Sequence, residues 1–288
     1  MTWEETIQYI RTQPAYQDLV EKAYFEEDLP LNVRRFRESE EYAETIRLLK
    51  HHQPNAQTIL DIGCGNGISA ISFALEGYTV TAVEPDPSPT IGAGAIRQLQ
   101  QHYQLQNIEV FEAFAENIQF EDNRFDIVYF RQAMHHANHL EKFLAEAARV
   151  LKKGGLLLAV RDHVVFDPQD KAWLLETHPL QKFYGGENAF SPQAYRNAME
   201  QSGLVFLKEY KHFESLLNFS PSTKEEIAQR LLQIKTQRKK HLKSKIGFLA
   251  GLPFVFTLYD TYLDKKVGKA LDEMVVPGRM YSYMARKR

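Results

Sequence analysis

Cysteine is almost absent from the sequence. Cys64 is the single cysteine among 288 residues, so an internal disulfide is excluded and the reducing cytoplasm is the expected location. The sequence also lacks a large excess of positive or negative charge. The formal net charge is −2, which gives no reason to expect nucleic acid as a partner. Residues 1–5 are acidic and lead into no apolar stretch, so we expect no secretory signal.

A long uninterrupted hydrophobic run is also missing. The most apolar stretch, residues 246–263, contains Pro253 and Asp260, whereas a membrane-spanning helix needs about 20 apolar residues. We expect residues 235–263 to cover an apolar pocket, to lie on an anionic bilayer as a peripheral membrane contact, or to pack against the core. The basic run that precedes the apolar stretch consists of Lys235, Arg238, Lys239, Lys240, Lys243 and Lys245.

Short apolar runs alternate with helical patterns through the middle of the chain. The runs are continuous, which is typical of strands covered by helices on both faces. Strands that alternate with helices predict parallel βαβ units and an α/β fold. The predicted strands are 58–62, 79–83, 108–111, 125–130 and 156–160, and the predicted helices between them are 68–75, 91–103 and 140–151.

A glycine-rich loop follows the first predicted strand. Residues 61–67 read Asp-Ile-Gly-Cys-Gly-Asn-Gly, of the form D-x-G-x-G-x-G. Glycines there let the backbone approach a ligand closely. The dinucleotide fingerprint G-x-G-x-x-G fails, because Ile68 stands where its third glycine would be. Glu84 ends the next strand, where a carboxylate can accept hydrogen bonds from both ribose hydroxyls of an adenosine.

Five segments, in the correct order, resemble the motifs of the class I S-adenosylmethionine-dependent methyltransferases. The glycine loop resembles their motif I, and residues 83–86 are similar to the acidic end of their second strand. The other similar segments are 115–118, which would border the adenine, 125–128 with 133–136, and 148–155, which is similar to an "RVLKPGG" turn with Lys153 where proline is usual. The resemblance covers about residues 55–160.

This resemblance implies the cofactor and the residues that bind it. The cofactor would be S-adenosylmethionine. Asp61 would orient the loop and the methionine amino end, and Glu84 would bind the ribose. Phe114 replaces a frequent aspartate, so Phe114 would pack against the adenine or Glu116 would make the polar contact. The expected cofactor residues are Asp61, Gly63, Cys64, Gly65, Gly67, Glu84, Pro85, Ala115, Glu116, Arg131 and Gln132.

The resemblance also divides the chain into regions. It implies a Rossmann-like methyltransferase sheet that is mostly parallel, with an antiparallel last strand. Residues 54–211 and 276–288 would form this core, and residues 1–53 a helical lid. The last two strands, 204–208 and 279–285, are separated by a stretch too long for a plain loop. We therefore expect residues 212–275 to form a helical cap inserted between them.

Histidines are the candidate catalytic residues. Methylation of oxygen requires loss of a proton, and histidine is the usual base near neutral pH. His135 and His136 follow the fourth strand and His163 the fifth, at the sheet edge where such folds bind ligands. We expect one of the three to be the base or to orient the acceptor; the alternative is that they only pack the next helix. His139 stands four positions after His135, but no His-Glu-x-x-His pattern is present, so no metal ligands are predicted.

Residues 161–163 and 178–188 are predicted to be non-helical, and we expect them either to line the acceptor pocket or to form a solvated connecting loop. Tyr184, Glu187 and Asn188 would hold a polar acceptor. Three functions stay open on this basis. The first is methylation of a small molecule, on oxygen. The second is the same chemistry on a lipid or quinone at a membrane. The third is a non-catalytic module that keeps the fold and the cofactor.

Overall fold

The structure, a computed structural model, describes residues 1–266 and 277–288. Its centre is a seven-stranded sheet. The strands are β1 (Thr58–Ile62), β2 (Thr79–Val83), β3 (Ile108–Phe111), β4 (Phe125–Arg131), β5 (Leu151–His163), β6 (Leu204–Tyr210) and β7 (Met280–Lys287). Their order across the sheet is β3-β2-β1-β4-β5-β7-β6. Strands β1 to β5 are parallel, and β7 runs antiparallel to β5 and β6. The predicted sheet is confirmed.

Helices surround this sheet. They are α1 (Trp3–Arg11), α2 (Gln17–Lys22), α3 (Leu29–Glu38), α4 (Glu40–His52), α5 (Ile68–Leu75), α6 (Ala93–His102), α7 (Leu140–Val150), α8 (Pro168–Thr177), α9 (Gln181–Tyr184), α10 (Pro192–Gln201), α11 (Leu216–Phe219), α12 (Lys224–Ile246) and α13 (Pro253–Lys266). Short 3₁₀ turns lie at Pro14–Tyr16, Ala115–Asn117, Met134–His136 and Gly247–Gly251.

The central strands are buried because helices cover both faces of the sheet. Ile59 and Ile127 pack under α3, α4, α5 and α6 on one face. Leu60 and Val128 pack under α7 and α10 on the other. Neighbouring residues of one strand therefore both need apolar side chains, which explains why the strands are continuous apolar runs.

Strand β1 is the point at which the sheet changes direction. The chain runs from β1 outward to β2 and β3 on one side, and later returns to β4 on the other. The loops after β1 and β4 therefore diverge at their carboxyl ends and leave a crevice, where open α/β sheets bind ligands. The glycine loop, residues 63–67, forms one side of this crevice.

Two local predictions were wrong. The helix predicted over 140–151 ends at Val150, and Leu151–Gly155 belongs to β5, because Leu151 pairs with Phe125 of β4. Residues 178–188 were predicted as non-helical, yet they contain α9, and α8 before them was not predicted at all. Asp167 caps α8 by accepting a hydrogen bond from the amide of Asp170, with Pro168 in the first helical position. Asp-Pro is a helix start signal that the sequence already contained.

Helices α12 and α13 form a hairpin joined by the Gly247–Gly251 turn. It falls within the cap predicted at 212–275, of which residues 267–275 lie outside the described part of the chain. Within that described part, no helix is long and apolar enough to span a membrane.

Candidate active site

Two adjoining cavities lie at the carboxyl ends of the parallel strands. The first, of about 310 Å³, lies between the glycine loop and the ends of β2 and β3. The second, of about 290 Å³, lies between the same loop and the ends of β4 and β5. Each has the size of a small-molecule site. The residues that border both cavities are Trp3, Gly63, Gly65, Ile91 and His136.

The glycine loop needs its glycines for two different reasons. Gly63, Gly65 and Gly67 have φ angles of +64°, +53° and +82°, a region that costs other residues about 1–2 kcal/mol. A Cβ on Gly63 would lie 2.7 Å from the Cβ of Ala133, and one on Gly67 would lie 2.8 Å from a carbon of Ile96. A Cβ on Gly65 would meet no atom closer than 3.8 Å. Gly63 and Gly67 therefore shape the loop, whereas Gly65 leaves its surface bare for a ligand.

The carboxylate of Glu84 fastens the glycine loop to the end of β2. Its Oε2 accepts a hydrogen bond from the amide of Gly65 at 2.7 Å, and its Oε1 accepts one from the amide of Asp86 at 3.0 Å. Burial raises the pKa of Glu84 to about 7, although the two amides oppose the shift. A carboxylate offers about four acceptor positions, so two remain for donors in the first cavity, which Glu84 borders.

Asp61 lies buried behind the loop. Its Oδ2 accepts a hydrogen bond from the hydroxyl of Ser69 at 2.5 Å. Its Oδ1 has no hydrogen-bond partner among the described residues. Burial raises the pKa of Asp61 to about 7. Asp61 and Gly67 border neither of the two cavities, so the geometry places both as supports of the loop rather than as ligand contacts.

The outer wall of the first cavity carries three more predicted cofactor residues, Pro85, Ala115 and Glu116. Phe114 also borders it, with 64% of its surface exposed, so its ring is free to stack on a flat ligand. Oε1 of Glu116 accepts a hydrogen bond from the amide of Asn138 at 2.9 Å. Glu116 therefore ties the loop after β3 to the loop after β4.

The other predicted cofactor residues, Cys64, Arg131 and Gln132, border the second cavity and not the first. Arg131, which was expected among the cofactor residues, also makes a buried ion pair. Its guanidinium Nε lies 2.5 Å from a carboxylate oxygen of Glu41, which is fully buried in α4. Two opposite charges in such close contact stabilise each other when both are buried away from water. Arg131 therefore anchors the N-terminal helices to the end of β4.

His135 lies buried beside the second cavity, next to Asp162. Oδ1 of Asp162 accepts the backbone amide of His135 and lies 3.0 Å from its ring Nδ1. Because this oxygen already acts as an acceptor, Nδ1 carries the proton and Nε2 keeps a lone pair. Burial lowers the pKa of His135 well below its ordinary value, and nearby histidines add to the effect. Burial also raises the pKa of Asp162 to about 8.

The other two candidate histidines are oriented by backbone carbonyls. Nδ1 of His163 lies 2.6 Å from the oxygen of Gly278, and Nδ1 of His136 lies 3.2 Å from the oxygen of Gly186. A carbonyl only accepts, so both rings carry the proton on Nδ1 and a lone pair on Nε2. The rings of His136 and His163 lie 4.1 and 4.8 Å from the ring of His135. His136 borders both cavities, whereas His135 and His163 border the second one.

The three predicted acceptor residues lie in different places. Glu187 borders the second cavity, and Tyr184 borders the first. The Tyr184 hydroxyl donates a hydrogen bond to Oε1 of Glu187. Asn188 borders neither cavity, and its side-chain oxygen accepts a hydrogen bond from Lys171 at 2.6 Å. The assignment of Asn188 to the acceptor pocket was therefore wrong, because α8 brings Lys171 against it.

Side chains that the sequence did not single out also form the walls. Trp3 of α1 borders both cavities, and its ring lies 4.7 Å from that of Tyr184. Trp3, Ile7 and Ile10 recur at helical spacing in the sequence, which indicates an amphipathic helix but not what its apolar face contacts. Residues 224–266 include none of the side chains that border the two cavities. The expectation that the hairpin of α12 and α13 roofs a pocket was therefore wrong.

Comparison with known proteins agrees with this geometry. Residues 60–159 match the family model of a methyltransferase domain. A phthiotriol/phenolphthiotriol dimycocerosates methyltransferase of Mycobacterium ulcerans is 29% identical over 140 residues, which is 46% of this chain and 49% of that protein. A fatty-acid O-methyltransferase of Mycolicibacterium smegmatis is 26% identical, over 54% of this chain and 57% of that protein. The chain thus spans about half the length of the curated relatives it matches.

A solved structure extends the likeness beyond the glycine loop. The YcgJ protein of Bacillus subtilis superposes with a TM-score of 0.54 at 20% identity, covering 86% of this chain and 99% of that one. At 20% sequence identity, this similarity shows a shared fold only. The matched domain and the shared fold are those of a methyltransferase, and the five motifs of the sequence indicate S-adenosylmethionine as the cofactor.

Proposed function

We propose that the protein transfers the methyl group of S-adenosylmethionine to an oxygen atom of a small-molecule acceptor. The observation that supports this most is the shared wall between the two cavities. The first cavity holds the groups expected to bind the adenosine, namely Glu84, Phe114 and Ala115. The second cavity meets it at Gly63, Gly65 and His136. A methyl group at this shared wall faces an acceptor in the second cavity, and in-line transfer depends on such alignment.

His136 is the proposed proton acceptor. It borders both cavities, and the carbonyl of Gly186 fixes its ring so that Nε2 keeps a lone pair. A hydroxyl acceptor must lose a proton as its oxygen forms the bond to the methyl carbon. The carbon–sulfur bond breaks at the same time, and sulfur leaves with the electron pair as a neutral thioether. We propose that the proton goes to Nε2 of His136.

We propose a second candidate function, methylation of a lipid acceptor at a membrane surface, because of the hairpin formed by α12 and α13. Phe248, Leu258 and Phe254 expose 85%, 67% and 62% of their surface. Lys239, Lys240 and other lysines of α12, the helix that contacts α13 and the turn, are also exposed. Apolar rings beside exposed cations complement the interface of an anionic bilayer. Two curated relatives are named for dimycocerosates and fatty acids.

The first test is transfer of labelled methyl from S-adenosylmethionine to a metabolite extract, with products separated by mass. The proposal predicts label in low-mass, oxygen-methylated products. Cofactor binding with no labelled product would instead indicate a non-catalytic module. If the label appears only in the organic-soluble lipid fraction, the lipid function is supported over the small-molecule one.

Sedimentation with vesicles tests the membrane surface separately. The protein should sediment with vesicles rich in phosphatidylserine, and Phe248→Glu should leave it in the supernatant. Leu207→Glu is the matched control, because Leu207 is 40% exposed on β6, outside the hairpin. Equal sedimentation of the Phe248 and Leu207 variants would overturn the membrane role of the hairpin.

A further inference from the structure

His135, His163 and Glu187 form a cluster beside the second cavity that the transfer reaction, as described so far, does not use. Each offers one potential ligand atom, and these atoms lie within 4.8 Å of one another. Nε2 of His135 lies 3.9 Å from Oε2 of Glu187. The three residues come from the loop after β4, from the end of β5 and from the loop after α9. The three residues form no local motif in the sequence, and only the fold brings them together.

The cluster consists of acceptors that face one another. Nδ1 of His135 is bound to Asp162 and Nδ1 of His163 to the carbonyl of Gly278, so both Nε2 atoms carry lone pairs. Oε1 of Glu187 accepts the hydroxyl of Tyr184, whereas Oε2 is buried without a hydrogen-bond partner among the described residues. The Glu187 side chain is 5% exposed. A buried oxygen without a partner is costly, and a cation among these three atoms would satisfy all of them.

The surroundings of the two rings match those of metal-bound histidines. Metal-ligating imidazoles usually donate their other ring N–H to a carboxylate or to a backbone carbonyl, which fixes the tautomer. Asp162 does this for His135, and Gly278 does it for His163. Ligands about 2.0–2.1 Å from a tetrahedral ion lie roughly 3.4 Å apart. The 3.9 Å separation between Nε2 of His135 and Oε2 of Glu187 is somewhat longer than this, and the three ligand atoms, which lie within 4.8 Å of one another, would have to draw together around an ion.

We propose that His135, His163 and Glu187 bind one divalent transition-metal ion of the zinc or iron(II) type. Two imidazoles and one carboxylate are ligands that such ions favour, and three protein ligands leave further positions open. The cluster borders the second cavity, so an open position faces the acceptor. On the basis of the proposed function, that position takes the acceptor oxygen, which the ion polarises while His136 accepts its proton. The ion keeps its oxidation state.

The test measures metal binding without donor or acceptor, so it is independent of methyl transfer. The full-length protein is stripped with a chelator and titrated with Zn²⁺ by calorimetry, and with Co²⁺ by visible absorption. We expect one ion per chain and the cobalt bands of a site with nitrogen and oxygen ligands. Glu187→Gln and His163→Ala should each weaken Zn²⁺ binding at least about tenfold. Asp162→Asn should weaken it about 10–100-fold, as expected when the partner of a ligating histidine is lost.

His139→Ala is the matched control, because His139 is exposed and borders neither cavity. It should bind Zn²⁺ like the unmodified protein. S-adenosylhomocysteine binding by the same variants reports whether each one is folded. A stripped protein that takes up no stoichiometric Zn²⁺ or Co²⁺ would overturn the metal site. So would cofactor-competent Glu187→Gln and His163→Ala variants that bind Zn²⁺ unchanged. If metal binds as expected but no methyl is transferred, the proposed function fails and the metal site stands.

Discussion

The first and second cavities share a wall but are built in different ways. The first is assembled from short segments that each follow a strand: the glycine loop after β1, Glu84 after β2 and Ala115 after β3. The second combines the ends of β4 and β5 with Phe25 near α2 and with Glu187 after α9. In a cavity made of strand ends, the positions of the lining residues are set by the order of the strands. In a cavity made of distant loops, the lining residues depend on how those loops pack. The two cavities should therefore respond differently to substitution.

Substitution of His136 should have the largest effect. It should reduce turnover without affecting cofactor binding, and so distinguish the roles of the two cavities. His136→Ala is expected to reduce turnover by about 10²–10⁴-fold, the usual contribution of a positioned acid or base. Affinity for S-adenosylmethionine should stay nearly the same, since the adenosine and ribose contacts remain. Turnover and calorimetric binding are measured on the same preparation, with His139→Ala as control. Full activity of the His136 variant would remove its proposed role as proton acceptor.

Glu84 tests the first cavity alone. Glu84→Ala should weaken cofactor binding by about 2–4 kcal/mol, because hydrogen bonds from a buried charged group are among the costlier ones to lose. Calorimetry measures this loss, and a thermal unfolding scan should show some loss of stability as well, because the amides of Gly65 and Asp86 lose their acceptor. Glu112→Ala is the control, since Glu112 is a partly exposed acid paired with Arg97. Unchanged cofactor affinity in the Glu84 variant would contradict the ribose role.

Gly65 tests whether the bare surface of the loop serves a ligand. Gly65→Ala and Gly77→Ala both place a methyl group on a residue with positive φ, at +53° and +95°. Both should therefore lose similar stability, about 1–2 kcal/mol. Of these two glycines, only Gly65 borders the cavities. Only the Gly65 variant should therefore also lose cofactor affinity, by about 1–3 kcal/mol for the added bulk. Equal cofactor binding by the two variants would show that Gly65 does not contact the ligand.

The pH dependence of cofactor affinity should show the smallest effect. Burial raises the pKa of Glu84 to about 7, and ribose hydroxyls donate to its ionised form. Affinity should therefore increase as pH rises from 6 to 8, by about tenfold if binding requires the charged carboxylate. S-adenosylhomocysteine binding measured across this range checks the slope, which Glu84→Gln should abolish. Asp61, whose pKa is also about 7, lies behind the loop, so Asp61→Asn should keep the slope.

The first cavity was predictable because its residues lie in local patterns. The motif around Gly63 and the acid at Glu84 each end a strand, and parallel strands place their carboxyl ends at one edge. Phe114 and Ala115 were expected from the resemblance to the methyltransferase motifs. These contacts depend on strand order, which the alternation of strands and helices largely determines.

The second cavity could be predicted only in part. Its histidines were recognised by type, but the arrangement of His135, His163 and Glu187 requires β4 and β5 to be neighbours and α9 to fold back over them. The ion pair of Arg131 was not predicted, because its partner, Glu41, lies 90 positions earlier in the chain. Asn188 was misplaced because α8 was not expected. Pairings between distant segments leave no periodic signal in a single sequence.

The most direct test of the central claim is calorimetric titration of the full-length protein with S-adenosylmethionine and, in parallel, with NAD. We predict saturable binding of one S-adenosylmethionine per chain and no heat from NAD, because the D-x-G-x-G-x-G loop and Glu84 are the proposed adenosine site and no dinucleotide fingerprint is present. Binding of NAD with no binding of S-adenosylmethionine would contradict it.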